Sequence, residues 1–273
     1  MGQIFTWDAI QHGRIPNKKS FHHVAKELRS RLAGEDSIIA AALFGSVLRG
    51  DFTIRSDIDC AVIHDTDHER TAMGVMHKAI EMATALYVPI NFTPCDVRLA
   101  ETRYHHFGPS FQKHLESSMN AGGLIKGDLI DLLAPTVPVQ EEIEWYIKMK
   151  MYNLQESLTQ MPVYSEERMT LFLKKVLEAP MHVARKMLIY EGCLLGDSKS
   201  EVQEQYRDTF PTKLAQRFDD LLKLDHEYST GLDHQMKSPD QEKYEQLLLR
   251  IKRELPHVLE FLRGNIVRLD ETH

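Results

Sequence analysis

The sequence predicts an α+β chain in two parts: a mixed-sheet domain over residues 1–135 that includes an N-terminal helix, then an all-α bundle over residues 136–273. Apolar runs of strand length at 37–44, 58–63 and 88–93 alternate with segments of helical period in the first part. Ala134-Pro135-Thr136-Val137-Pro138 breaks that pattern, and every periodic segment beyond it is helical. A chain of 273 residues, 42% hydrophobic and 27% charged, has the length and the apolar content to bury a core in each part.

Taken in order, the residues up to Lys19 carry no periodicity and read as an irregular lead-in. Ser20 is the expected N-cap of a helix that carries Phe21, Val24, Ala25, Leu28 and Leu32 at helical spacing and stops at Gly34. The run 37–44 is apolar throughout, as a strand covered on both faces must be. After the second strand, residues 67–86 form a helix through Met73, Met76, Ala79, Ile80, Ala83 and Leu86, whose methionines fill gaps in a core. The third strand is expected at 88–93, with Asp96 beyond its end. A loop and a helix follow over 100–122, and Tyr104-His105-His106 reads as polar loop because no further ligand stands at metal-binding spacing. Residues 122–128 resemble a short closing strand and turn.

In the second part, residues 141–158 form a first helix. Ser165 opens another, with Glu166 and Glu167 in its first turn where acids suit the helix dipole, and Pro180 is expected to kink or split it. Ser198-Lys199-Ser200-Glu201 and Ser238-Pro239-Asp240-Gln241 both have the capping-box form. A last helix puts Tyr244, Leu247, Leu248, Ile251, Leu255, Val258, Leu259 and Leu262 on one stripe, so it packs in a bundle.

Charge narrows the function. Up to Leu133 there are 14 Lys and Arg against 16 Asp and Glu, and beyond it 19 against 24, so neither part carries the basic excess that gripping a long duplex requires. This argues against extended nucleic-acid binding and a template-dependent polymerase. No uncharged apolar run reaches the roughly 18 residues of a membrane span, and the N-terminus lacks a basic start followed by an apolar core, so a cytoplasmic location is expected. Cys60, Cys95 and Cys193 are too few and too scattered for a disulfide framework or a zinc site.

The chemistry concentrates between the first two strands, in Phe44-Gly45-Ser46-Val47-Leu48-Arg49-Gly50-Asp51-Phe52-Thr53-Ile54-Arg55-Ser56-Asp57-Ile58-Asp59. At Gly45-Ser46 the missing Cβ lets backbone N–H groups approach an anion, which makes a phosphate seat. Arg49 sits where a short helical turn would aim its guanidinium at the same phosphates. Asp57 and Asp59, two apart on a strand, point to one face about 6.5–7 Å apart. Such a pair suits one or two Mg²⁺ ions, which take one or two carboxylates plus phosphate oxygens.

Gly45-Ser46, Arg49-Gly50 and Ser56-Asp57-Ile58-Asp59 together resemble the signature of the nucleotidyltransferase superfamily, which includes DNA polymerase β, the antibiotic nucleotidyltransferases and the minimal nucleotidyltransferases of toxin–antitoxin pairs. The resemblance covers about the first half of the chain. It implies a polymerase β-like domain in which Gly45 and Ser46 hold the β- and γ-phosphates of a nucleoside triphosphate, ATP being the expected one, and Asp57 and Asp59 bind Mg²⁺. The nucleoside monophosphate would pass to a hydroxyl of a small molecule, a protein or a tRNA. A homodimer or a toxin–antitoxin-type partner is the kind of assembly it suggests. The third strand of such domains typically carries a further acid, and here Asn91 stands in that place, able to ligate through its carbonyl but unable to accept a proton. The alternative is therefore an inactive nucleotide-binding module, a sensor or antitoxin-like partner. A base would then have to come from elsewhere. Glu144 and Lys148, four apart on one helix face, resemble the glutamate and lysine of kanamycin-type enzymes; an exposed helix pair is the plain alternative.

Overall fold

The computed structural model describes residues 2–193 and 198–271. Along them run α1 (Trp7–Gln11), α2 (Lys18–Ala33), β1 (Ile38–Phe44), α3 (Ser46–Arg49), β2 (Ile58–His64), α4 (Glu69–Thr84), β3 (Ile90–Asp96), α5 (Val97–Ala100), α6 (Pro109–Ser118) and β4 (Leu124–Lys126). Helices alone follow: α7 (Val139–Gln160), α8 (Glu166–Tyr190), α9 (Lys199–Thr209), α10 (Thr212–Lys237), α11 (Gln241–Arg253) and α12 (Leu255–Glu271). The class is α+β, a mixed sheet followed by a helical region. The chain divides into two units, one of Ile15–Glu142 and one of Met1–Arg14 with Ile143–His273.

In the sheet unit the strand order is β3-β2-β1-β4. β1 is antiparallel to β2 and to β4, whereas β2 and β3 are parallel because α4 carries the chain back across the sheet. Ala41, Leu43, Cys60 and Val62 share a core with Phe21, Leu28 and Leu32 of α2 and Met76 and Ala79 of α4. On the other face Ala40, Ala42, Phe44, Ala61 and Ile63 meet Phe107 and Leu115. Two covered faces explain the unbroken apolar run of β1.

Two boundaries differ from expectation for local reasons. Asn17, not Ser20, caps α2: its side chain accepts from the Ser20 N–H at 3.1 Å, which puts Ser20 in the first turn. β3 continues past Thr93, pairing with β2 as far as His64 opposite Asp96, because Pro94 costs no ladder bond on the outer side of an edge strand. Asp96 is thus the last residue of the strand.

The helical unit includes the lead-in, which is not irregular. Thr6 caps α1, the Phe5 N–H donates to Tyr228 Oη at 3.3 Å, and buried Tyr244 donates its hydroxyl to the Phe5 carbonyl. Ser165 and Ser198 cap α8 and α9 as their sequences indicate, the latter with the full Ser198–Glu201 box. α8 runs through buried Pro180 as one helix, so packing on both sides outweighs the roughly 3 kcal/mol an interior proline costs. Ser238 ends α10, and Asp240 caps α11 by accepting from the Lys243 N–H at 3.2 Å. The stripe from Tyr244 to Leu262 belongs to two helices, broken at Glu254, with Pro256 in the first turn of the second, where its missing N–H costs no helical bond. Among the described residues no helix is long and apolar enough to cross a membrane.

Candidate active site

The site starts where β1 stops. Gly45 follows Phe44 with φ +80° and ψ −163°, a conformation open essentially to glycine alone, and leads into the single turn of α3. Gly50 closes that turn in the left-handed region, its N–H bonded to the Ser46 carbonyl at 2.9 Å. Register then gathers the rest. Asp59 stands opposite Phe44 across β1 and opposite Asn91 across β3. A Cβ on Gly45 would collide with Asp59 Oδ2, so the carboxylate lies against bare backbone. Asn91 Nδ2 donates to the other oxygen, Oδ1, at 3.1 Å. Gly45, Asp59 and Asn91 are therefore in one place.

Asp57 precedes β2 by one residue and is half-buried. Arg49, on α3, approaches Asp51 with Nε at 3.4 Å from Oδ1. The intervening loop is tied by Ser56 Oγ, which accepts from the Thr53 N–H at 3.0 Å, and by the Arg55 N–H donating to Thr53 Oγ1 at 3.2 Å. Sequence reasoning gave no role to Asp51, Arg55 or Ser56, although all three fall inside the decisive stretch. Arg55 and Ser56 are buried, and the Thr-x-x-Ser spacing of a self-bonded turn was the available signal. Glu144 and Lys148 lie in the helical unit, on α7, 3.8 Å apart, with the lysine largely exposed.

Electrostatics separates the neighbouring groups. Burial first, and then the Asp59 charge, push the Cys60 thiol far up, so it is an inert core residue. At Asp96, burial works against the charge, but the Leu99 N–H at 2.9 Å and the Thr66 hydroxyl at 3.0 Å outweigh it and hold the carboxyl below its ordinary range. Asp96 is thus committed to capping α5. Lying five residues from Asn91, it is about 16 Å along the strand from it and on the opposite face. It is no substitute for the missing acid.

Among the described residues no three His, Cys, Asp or Glu side chains group to hold a metal. A hard cation that keeps waters and phosphate oxygens needs only one or two carboxylates. The all-oxygen set of Asp57 and Asp59, with the Asn91 amide beside Asp59, fits such an ion in its donor chemistry. A groove of about 550 Å³ lined by Met73, Met76, His77, Ile80, Phe92 and Pro94 lies elsewhere. Phe92 alternates with Asn91, so the groove is on the other face of the sheet.

Residues 24–153 match the family model described as the nucleotidyltransferase domain. This span is a nucleotidyltransferase domain. The matched span begins in α2, takes in all four strands and ends within α7. The general chemistry of a nucleotidyltransferase domain is nucleotidyl transfer from a nucleoside triphosphate with a divalent metal. No curated protein matches the chain.

Proposed function

We propose that the protein is a cytoplasmic Mg²⁺-dependent nucleotidyltransferase that moves a nucleoside monophosphate, AMP by preference, from its triphosphate to a hydroxyl and releases pyrophosphate. The observation that carries this reading is the seating of the Asp59 carboxylate against Gly45. It sets an acid beside the glycine turn that would seat the phosphates, where two central strands end. Asp57 and Asp59 would hold the ion, which when bound neutralises charge on the triphosphate oxygens. Gly45 and Ser46 would cradle the β- and γ-phosphates, with the Arg49 guanidinium adding charge to that end. Alignment of the acceptor hydroxyl with the α-phosphorus then supplies most of the remaining advantage.

Asn91 supports a second reading. Its amide donates to Asp59 and cannot accept a proton from a hydroxyl, so the same seat would serve a nucleotide sensor or an antitoxin-like partner. The first reading needs a base from elsewhere in the chain and the second needs none.

Incubation with labelled nucleoside triphosphates, Mg²⁺ and a panel of small-molecule, protein and tRNA hydroxyls separates the two. Turnover should fall on the order of 100-fold or more in Asp57→Ala and in Asp59→Ala. Nucleotide binding without pyrophosphate release for any acceptor would leave only the sensor. Turnover untouched by both substitutions would end the first reading.

A further inference from the structure

The outward face of α4 carries a stripe that is complementary to its own reverse. Arg70, Gly74, His77 and Glu81 stand three or four residues apart along the helix, on the side away from buried Ala72, Ala79 and Ala83, and all four are exposed. Arg70 pairs with no carboxylate among the described residues. Glu81 has its own helix neighbour, His77 Nε2 at 3.2 Å, and both of these side chains stand mostly in water. Between the stripe and the edge strand β3 lie Met73 and Ile80, 38% and 39% exposed, which with Phe92 and Pro94 line the groove of about 550 Å³.

Gly74 is the anomaly in that stripe. Glycine inside a helix weakens it against alanine, and a Cβ on Gly74 would meet no atom within 4 Å. Packing within the chain therefore does not call for the missing side chain. Bare backbone in the middle of an exposed face lets a second helix come close. A second copy of α4 laid antiparallel against the first brings Arg70 of each opposite Glu81 of the other, and sets the His77 ring of each over the backbone at Gly74 of the other. Both pairings share one centre, because Gly74 and His77 are each four residues in from Arg70 and Glu81. The two Arg70 side chains then stand about 16 Å apart along the axis, so like charges do not meet. A two-fold axis keeps the sides of the stripe in place, so Met73 of one copy approaches Ile80 of the other beside the groove.

We infer that α4 is a self-association face, on which two copies of the chain pair about a two-fold axis centred between Gly74 and His77. The occupant is a second copy because the reverse of this stripe supplies both the charges that Arg70 and Glu81 lack and the bulk that fits Gly74. The inference does not depend on Asp57 or Asp59 being catalytic.

Sedimentation velocity of the full chain over a concentration series tests it. Dimerisation with a dissociation constant of about 10–100 μM is expected, the weak range of a single helix crossing. Arg70→Glu and Glu81→Arg should each weaken it about tenfold or more, because each sets like charges opposite one another. Mixed in equal amounts, the two variants should pair again, since each supplies the charge the other lacks. Gly74→Ala should also weaken the dimer about tenfold, yet raise the melting temperature of the dilute monomer by about 1–4 °C, because alanine is the better helix former and meets nothing in the single chain. A chain that stays monomeric to roughly 0.5 mM leaves the face to a different partner and overturns the inference. So does a dimer that survives either charge reversal, a mixture of the two variants that stays monomeric, or a Gly74→Ala dimer as tight as the unsubstituted one.

Discussion

At the scale of single residues, Gly45 carries the most specific expectation. Its φ of +80° with ψ of −163° lies where only glycine is at ease, and a methyl group there would also strike Asp59 Oδ2. Gly45→Ala should therefore destabilise the protein by about 2–4 kcal/mol, strain and overlap together. Urea unfolding checks it. Adding Asp59→Ala should recover the part due to overlap and leave the strain, so full recovery would show that the backbone is not constrained. The closeness of Gly45 to Asp59 was legible in the sequence because both sit at strand ends that must pair if the two apolar runs are neighbours. The place of Asn91 came instead from the family resemblance, in which the third strand carries a residue beside the pair. Burial of Arg55 and Ser56 was not legible, since it depends on how a 13-residue connection between β1 and β2 folds back on itself.

At the scale of elements, the first turn of α7 helps to hold α6. The Glu142 carboxylate accepts from the Ser110 N–H at 2.8 Å and from its hydroxyl at 2.6 Å, at the start of a helix whose N-cap, Gly108, has no side chain to offer. A Cβ on Gly108 would stand 2.6 Å from Glu142 Cδ, so the missing cap and the borrowed one require each other. Glu142→Ala should cost about 1–2 kcal/mol, the worth of an N-cap with a charge favourable to the dipole. Glu142→Gln, which keeps an acceptor, should cost less than half of that. Hydrogen exchange in the first turn of α6 should rise in the alanine variant, and unchanged protection there would mean the carboxylate does not act as a cap. Capping is also where element boundaries escaped the sequence. Ser20 and Ser238 satisfy local capping patterns, yet Asn17 and Asp240 do the work, because each reaches an N–H that the expected cap does not. Strand and helix types followed from periodicity. The break at Glu254 is not legible from periodicity, because the apolar stripe continues in phase on both sides of it.

For the whole molecule, histidines set the direction of the acid response. His182 and His106 both have folded-state pKa values below the ordinary 6.5, His182 well below, chiefly because protein displaces their water. Between the folded and unfolded values the unfolded chain holds protons that the folded chain lacks, so stability falls as pH drops through 6.5 toward the folded values. His68 works the other way. Its bond to Asp65 at 2.8 Å raises its pKa, which adds stability below the unfolded value and loses it as pH rises through the folded one, but this pair is on the surface and screened. The melting temperature should therefore decline between pH 7 and pH 5.5, before most carboxylates titrate. His182→Gln should flatten that decline, and the flattening should survive 0.5 M salt only in part, since Lys150, Arg185 and Lys186 supply a share of the shift and exposed charge is screened. A decline equally steep in His182→Gln would show that this ring is better hydrated than its lowered pKa implies.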